Sequence, residues 1–163
     1  TTFALSAYIG MTRTEINEYM RPFVTKVIEP MINTLALKII HDHGDSGDTI
    51  LLASATNELI VQPIAKRLDI QNVIGTQVKF INDKCTGEYI PPSALGEGKL
   101  QLVQQWMQRN NFDDFSGVTF YSDSINDLPL LEAVDFPKAV NPDAMLEKIS
   151  LERGWEIINL PIL

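Results

Sequence analysis

Two carboxylates and an amide lie close together in the C-terminal half of this 163-residue chain. Asp123 and Asp127 are four positions apart, with Asn126 between them, and they directly follow an apolar run at 118–121. Oxygen ligands of this kind suit a hard cation such as Mg²⁺. Asp and Asn are also frequent where helices begin, because their side chains accept hydrogen bonds from free backbone N–H groups. A cation site and a capped helix start both fit this segment.

The elements around these residues favour a position at the end of a β-strand. The run at 118–121, bounded by Gly117, is typical of a buried strand, whereas residues 128–134 are spaced as on a helix. Asp123 is therefore expected where a strand passes into a loop. In open α/β sheets, ligands bind in the crevice beyond the carboxyl ends of the strands, so the two aspartates form a candidate polar site.

A second transition from strand to helix occurs at Ser54. The apolar run at 49–53 predicts a buried parallel strand that ends before Ser54, and a helix is expected from Glu58 to about Leu68. A hydroxyl and free backbone N–H groups at such a junction suit phosphate binding. Ser54 as a plain N-cap of the helix is an alternative that the pattern leaves open.

Lys99 lies in the first turn of another predicted helix. The helix dipole disfavours a cation there, and a phosphate group would account for its presence. The string Gly96-Glu97-Gly98-Lys99 is not a phosphate-binding P-loop, because Leu100 follows the lysine and no strand precedes the string. The apolar positions of this helix are Leu100, Val103, Trp106 and Met107.

The N-terminal part of the chain is predicted to be helical. A capping box at Thr12–Glu15 begins one helix, Pro30 is expected to break or kink it, and a second helix runs from about Met31 to the polar cluster at 41–48. That cluster holds two histidines and three aspartates. Histidines are favourable at the C-terminus of a helix because of the helix dipole, and the string Gly-Asp-Ser-Gly favours a turn. These two preferences explain the cluster better than a metal site does.

From Thr49 onward, strands and helices alternate, which predicts a mostly parallel α/β sheet. A small antiparallel hairpin is expected within 73–90, with a turn at 82–84. After the aspartates come a short strand at 136–140, a helix starting at Asn141-Pro142 and a last strand at 155–160.

Composition excludes several classes of protein. The net charge of −8 and the pI of about 4.7 argue against nucleic acid or an acidic membrane as partner. The single cysteine, Cys85, rules out an internal disulfide and fits a reducing compartment, so a cytoplasmic location is expected. No apolar stretch is long enough for a membrane span.

The motifs described above resemble those of the haloacid-dehalogenase-like (HAD) phosphatases. Ser54 after a strand, Lys99 at a helix start and the string Ser122-Asp123-Ser124-x-Asn126-Asp127-Leu128 match the second, third and fourth motifs of that superfamily in order and spacing. The strings ASATNELIVQPIA, YSDSINDLPLLEAV and AVNPD are similar to its phosphoserine-phosphatase-like branch. The resemblance implies a Rossmann-like, mostly parallel α/β core at 47–163 and part of a helical cap at 1–46.

The resemblance also implies roles for the metal-binding half of the site. Asp123 would be a Mg²⁺ ligand, and Asp127 would support the metal through water or outer contacts. The reaction would be hydrolysis of a small phosphomonoester through a covalent aspartyl-phosphate, with Mg²⁺ as cofactor.

For the phosphate-binding half, Ser54 and the N–H of Ala55 would hold phosphate oxygens. Asn126 would orient the site or the phosphoryl group. Lys99 would neutralise both the phosphate and the attacking aspartate.

One motif of the family is missing. The Asp-x-Asp-x-Thr or Val string that supplies the nucleophile does not occur in these 163 residues. We therefore expect the natural protein to carry roughly 50 to 60 further N-terminal residues, for which typical domain sizes leave room. The present chain alone is expected to be inactive, and the missing segment or a homo-oligomer mate is expected to complete the sheet.

Two other interpretations remain open at this point. The chain could be a non-catalytic HAD-like domain that binds a phosphate ligand or a partner. It could also be an unrelated flavodoxin-like or receiver-type domain, in which case Ser54 and Lys99 should lie far from Asp123. If the chain is part of a phosphatase, the expected partner is a small phosphorylated metabolite.

Overall fold

A computed structural model of the chain describes residues 2–161 and resolves them into two compact units. The first unit extends to Ala94 and the second begins at Leu95. The division after residue 46, which separates cap from core by family resemblance, stays a prediction. In the part of the chain that the structure describes, no helix is both long and apolar enough to cross a membrane.

The first unit begins with helices. The predicted capping box is present, because Thr12 Oγ1 accepts a hydrogen bond from Glu15 N–H and the Glu15 carboxylate accepts one from Thr12 N–H at 2.7 Å. These bonds satisfy two backbone donors at the start of the first long helix. The elements are a 3₁₀ helix (Thr2–Tyr8), α1 (Arg13–Phe23), a π-helical segment (Val24–Ile28), α2 (Glu29–Met31) and α3 (Thr34–Asp45).

Of the predicted break or kink at Pro30, the break does not occur, and the next helix does not begin at Met31. In the π-helical segment Glu29 N–H bonds to Val24 O, and the helical path continues past Pro30 as far as Met31. The break comes at Ile32, because Asn33 accepts hydrogen bonds from two backbone N–H groups of the next turn and thereby caps α3. A strong capping residue, rather than the proline, determines where the new helix begins.

The polar cluster at 41–48 does not end the helix at its first residue, as the sequence suggested. Helix α3 extends through Asp45 and stops at Ser46, with Gly47 in a left-handed conformation (φ 84°). His43 Nδ1 lies 2.6 Å from Asp48 Oδ2, so these two residues tie the end of the helix to the following turn.

The sheet of the first unit has the order β1-β2-β3. The first pair is parallel, and the second pair is the predicted antiparallel hairpin, which turns at Asn82 and Asp83, both with positive φ. The elements are β1 (Leu51–Asn57), α4 (Glu58–Arg67), β2 (Asn72–Ile81) and β3 (Lys84–Ile90). The core residues shared by the helices and the sheet are Leu5, Tyr8, Ile16, Met20, Leu59, Val78 and Cys85.

The second unit contains a parallel sheet of order β4-β5-β6. Its core is formed by Leu131, Ala139 and Leu146, which are fully buried between the sheet and its helices. The predicted alternation of strands and helices is thus confirmed. The elements are α5 (Glu97–Arg109), β4 (Thr119–Ser122), a 3₁₀ turn (Ile125–Asp127), α6 (Leu128–Ala133), β5 (Phe136–Val140), α7 (Ala144–Arg153) and β6 (Glu156–Ile158).

Helix α7 begins two residues later than predicted. Asp143, not Asn141, is its N-cap. Asn141 instead has φ 44° and pairs with Leu160 through its side chain, donating to the carbonyl oxygen at 3.1 Å and accepting from the N–H at 2.8 Å. Asn141 therefore joins the end of β5 to the chain after β6.

Candidate functional site

The segment at 122–127, here called the aspartate loop, folds back onto the end of β4. Ser122 is the last residue of the strand, and its buried hydroxyl donates a hydrogen bond to Asp127 Oδ2 at 2.7 Å. The same hydroxyl oxygen accepts a bond from Ser124 N–H at 3.2 Å. Ser124 in turn accepts the N–H of Asn126 at 3.2 Å. Three side chains thus shape the loop from within.

Lys99 and Asp127 form a buried ion pair. Lys99 Nζ lies 2.5 Å from Asp127 Oδ1, and the two side chains are 5% and 9% exposed. Oδ1 makes no hydrogen bond of good geometry within residues 2–161, so the ammonium group is what balances it. A buried charge needs such a partner. The cation that sequence analysis found at an unfavourable helix position is thus explained by a carboxylate of the same unit.

The two predicted metal-binding aspartates have different surroundings. Both oxygens of Asp127 are engaged, one by Ser122 and one by Lys99, whereas Asp123 is exposed just beyond the end of β4. An exposed carboxylate is suited to binding a hard cation directly, and Asp127 is suited to holding the loop. Among the described residues, no group of three or more His, Cys, Asp or Glu side chains is arranged to hold a metal ion.

Asp143 also contacts the aspartate loop, although sequence analysis assigned it no role. Its carboxylate accepts hydrogen bonds from Ile125 N–H at 2.7 Å and from two N–H groups in the first turn of α7. The bond from Ile125, followed by that from Leu146, holds the pKa of Asp143 below its ordinary value. The preference of aspartate for N-caps could have identified the contacts in α7, but no local signal indicates the contact with Ile125.

The segment at 54–57, here called the serine loop, lies in the first unit and is built differently. Strand β1 runs through Ser54 to Asn57, three residues beyond Ser54, with an irregular register after Ala53. Asn57, without a side-chain capping bond, is the N-cap of α4, so the interpretation of Ser54 as that cap is wrong. Ser54 is half-buried, and its Oγ accepts Thr56 N–H at 3.2 Å.

The serine loop is backed by strand β2. Thr76, which is buried, donates a hydrogen bond from its hydroxyl to Ala55 O at 3.0 Å. At Gly75 an added Cβ would lie 3.0 Å from Thr56 O and from the Glu58 backbone. The close approach of β2 to this loop therefore requires a residue without a side chain.

Of the predicted site residues, the structure brings Lys99 against Asp127. Asp123 and Asn126 are exposed on the same aspartate loop. Ser54 and Ala55 belong to the serine loop of the other unit. The catalytic, phosphate-binding and metal-binding roles of these residues remain predictions.

Together, the fold and this loop define a class. Parallel strands are followed by polar residues, and one loop carries an exposed aspartate together with a second aspartate that is buried against a lysine, as in α/β enzymes that act beyond the carboxyl ends of their strands.

Comparison with protein-family models specifies the class, because residues 1–132 match the model described as haloacid dehalogenase-like hydrolase. The chain belongs to this family. The resemblance deduced from the motifs is confirmed, as is the expected enzyme class, a hydrolase related to phosphatases. An unrelated flavodoxin-like or receiver-type domain is excluded.

Individual relatives support the same assignment. A protein of Neisseria meningitidis named histidinol-phosphatase is 39% identical over 160 residues, which are 96% of this chain and 72% of that protein. The chain spans about half the length of the next curated relatives, 54% of one and 50% of another.

Solved structures agree with the fold. A protein of unknown function from Bordetella pertussis Tohama I has a TM-score of 0.87 at 33% identity, covering 96% of this chain and 71% of that one. A probable phosphoserine phosphatase from Vibrio cholerae has a TM-score of 0.66 at 13% identity, covering 93% of this chain and 46% of that one. The second likeness confirms the predicted Rossmann-like α/β fold.

Proposed function

We propose that this chain is the larger part of a phosphatase that hydrolyses a small phosphomonoester with Mg²⁺ as cofactor, through an aspartyl-phosphate intermediate. The observation that carries the proposal is the aspartate loop, which contains both the exposed Asp123 and the Asp127 that is buried against Lys99. A buried lysine in the first turn of a helix, facing a loop of oxygen ligands, has the chemistry needed to bind a phosphate and its metal ion.

In this proposal Asp123 binds Mg²⁺ directly, because its carboxylate is exposed. Asp127 contributes through Lys99 and Ser122, by holding the loop that carries Asp123. The bound cation would offset negative charge on the phosphoryl group. The remaining oxygen ligands of the Mg²⁺ ion would come from water, from the phosphate and from residues other than Asp123 and Asp127.

Each of the two loops carries groups that suit a phosphate. In the serine loop, Ser54 Oγ and the N–H of Ala55 would donate hydrogen bonds to phosphate oxygens, and in the aspartate loop the exposed amide of Asn126 would orient a phosphoryl group. Lys99 would place positive charge beside it. Within the second unit, this requires that the ammonium group serve Asp127 and the phosphate together, which its three N–H donors allow.

The attacking aspartate is proposed to come from a segment beyond this chain. Relatives support this, since even the relative named histidinol-phosphatase is longer than the part matched here. Strand β4 is an edge strand of its sheet among the described residues, so its outer backbone groups could pair with such a segment or with a second copy of the chain. The chain alone would then be inactive.

The substrate that the relatives favour is the phosphate ester of a small amino alcohol. Histidinol phosphate is the first candidate, since a relative named histidinol-phosphatase is 39% identical to this chain. Phosphoserine is less favoured, because residues 3–9 hold no Arg or Lys to bind its carboxylate. A cytoplasmic location is proposed together with this metabolic role.

A panel of phosphate esters tests the proposal. The longer protein, carrying its N-terminal segment, is assayed with histidinol phosphate, phosphoserine and sugar phosphates, with Mg²⁺ and with excess EDTA. We expect turnover that EDTA abolishes and that Asp123→Asn removes. Asp113→Asn, which alters an exposed aspartate outside the loop, is the control and should leave the rate unchanged. Hydrolysis that persists in EDTA would contradict the proposal.

A non-catalytic phosphate-binding domain is the second candidate, because no Asp-x-Asp-x-Thr or Val string occurs in this chain. It would be favoured if the longer protein also lacked that string. Calorimetry with inorganic phosphate would then show binding, whereas the panel would show no turnover.

A further inference from the structure

The two carboxylate oxygens of Asp143 have different partners. Oδ1 accepts hydrogen bonds from Met145 N–H at 3.1 Å and Leu146 N–H at 2.9 Å, and so caps α7. Oδ2 accepts the N–H of Ile125 at 2.7 Å, from the aspartate loop. One oxygen therefore belongs to the helix and the other to the loop.

A second bond connects the same two segments in the opposite direction. The backbone N–H of Asp143 donates to the carbonyl oxygen of Asp123 at 2.8 Å. The start of α7 thus holds the loop at both Asp123 and Ile125, and the first of these anchoring points is the carbonyl group of the residue whose carboxylate is exposed.

From this geometry we propose that Asp143 is a positioning residue, which fixes the backbone of the aspartate loop and thereby the direction of the Asp123 carboxylate. The effect of Asp143 on metal binding rests on the function proposed above. The effect of Asp143 on the backbone of the loop does not, because it follows from the hydrogen bonds alone.

A carboxylate is needed at this position for a specific reason. Ile125 N–H and the α7 N–H groups are all donors, so the side chain must accept on both of its oxygens. A charged acceptor also makes a stronger bond than a neutral one. The backbone N–H groups of Ser124, Asn126 and Asp127 bond to serine hydroxyls or to a carbonyl within the loop. Asp143 connects the backbone of the loop to α7, whereas Lys99 of α5 contacts the loop through the Asp127 side chain.

Asp143→Asn separates the two roles. Asparagine is as good an N-cap as aspartate, and its single oxygen can keep the bonds to Met145 and Leu146. Its NH₂ group then faces Ile125 N–H, which places a donor against a donor. The matched control is Asp114→Asn, because Asp114 also accepts a backbone N–H, from Ser116 at 2.8 Å, outside the aspartate loop.

The first readout is amide hydrogen exchange of the full chain, measured by NMR. In Asp143→Asn the Ile125 amide should exchange about tenfold faster or more, while Met145 and Leu146 keep their protection. Asp114→Asn should leave all three amides unchanged. Unchanged exchange at Ile125, or acceleration there only together with Met145 and Leu146, would overturn the proposal.

The second readout is a titration of the longer protein and of its Asp143→Asn variant with Mg²⁺, followed through the amide shifts of the aspartate loop. Residues that support metal ligands contribute about 10–100-fold to metal affinity, so Asp143→Asn should weaken Mg²⁺ binding by about tenfold. The same variant should lower the thermal midpoint of unfolding less than Asp143→Ala does. Equal affinity in the variant would contradict the effect on the site. An unresponsive longer protein would count against the proposed function, and the exchange data would still decide the role of Asp143.

Discussion

The aspartate loop lies at the end of β4 and the serine loop is the last part of β1, yet the two are held in different ways. The aspartate loop is fixed by side chains, through the buried pair of Lys99 and Asp127 and the hydroxyl of Ser122. The serine loop is held mainly by its neighbouring strand β2, and Ala55 and Thr56 are exposed. Its Asn57 has a buried Oδ1 for which residues 2–161 supply no hydrogen-bond partner.

The difference shows which part of the candidate site is formed by the second unit alone. A buried polar network whose members are paired makes a loop rigid, and breaking it leaves charges without partners. A loop with exposed backbone and one unpaired buried oxygen retains groups that a ligand or another segment can bind. We therefore expect mutations in the two loops to have unequal effects on stability.

The largest effect is expected for Asp127→Ala. It leaves the buried ammonium of Lys99 unpaired, which should cost about 3–5 kcal/mol in free energy of unfolding. Urea titration followed by tryptophan fluorescence measures this, because both tryptophans, Trp106 and Trp155, lie in the second unit.

The control for this prediction is the double variant Asp127→Leu with Lys99→Met, which removes both charges. It should recover most of the lost stability, because no unpaired charge remains. A single variant as stable as the wild type would show that the pair does not hold the aspartate loop.

A smaller loss is expected for Ser122→Ala. The change removes the hydroxyl that bonds to Asp127 Oδ2 and leaves that oxygen unsatisfied, at a cost of about 1–3 kcal/mol. The same fluorescence titration measures it, with Ser116→Ala on an exposed loop as control. If the two serine variants were equally stable, the network account of the aspartate loop would be wrong.

Gly75→Ala tests the way in which the serine loop is held. The new Cβ would lie 3.0 Å from three backbone atoms, so either β2 or the start of α4 must shift, at a cost of about 1–3 kcal/mol. Gly44→Ala is the control, because its Cβ would meet only Ile50 Cδ1 at 3.7 Å. Thermal unfolding followed by circular dichroism distinguishes them, and equal midpoints would argue against close packing behind the serine loop.

The smallest effect on stability is expected for Ser54→Ala. Ser54 is half-buried and its hydroxyl makes one local hydrogen bond, so the change should stay within about 0.5 kcal/mol. Phosphate affinity of the longer protein should fall nonetheless, because the proposed donor is removed. Calorimetry with inorganic phosphate measures this. If Ser54→Ala greatly lowered stability but left phosphate affinity unchanged, Ser54 would have a structural role and the expected difference between the two loops would be wrong.

Local signals predicted much of the fold correctly. The capping box of Thr12 and Glu15, the hairpin turn at 82–83 and the strand before Asp123 all follow from residues within a few positions of one another. The family motifs also indicated that Lys99 and the two aspartates matter. The local features could be predicted because the residues that cause them lie close together in the sequence.

What the sequence could not show depends on contacts between distant positions. The partner of Lys99 is 28 positions away at Asp127, and the Ile125 N–H bonds to Asp143 across 18 positions. Ser54 was misplaced because the run of apolar residues ends at Ala53, while the strand pairs with β2 again at Asn57 after an irregularity in register. Pairing with a neighbouring strand, not hydrophobicity, sets the end of β1.

The most direct test of the account is an assay of p-nitrophenyl phosphate hydrolysis by the purified chain and by the longer protein, both with Mg²⁺. We predict that only the longer protein hydrolyses the ester. The reason is that loss of a nucleophile that acts as part of a unit can lower the rate on the order of a million-fold. Mg²⁺-dependent turnover by the chain alone, abolished by Asp123→Asn, would contradict the claim that its attacking aspartate lies elsewhere.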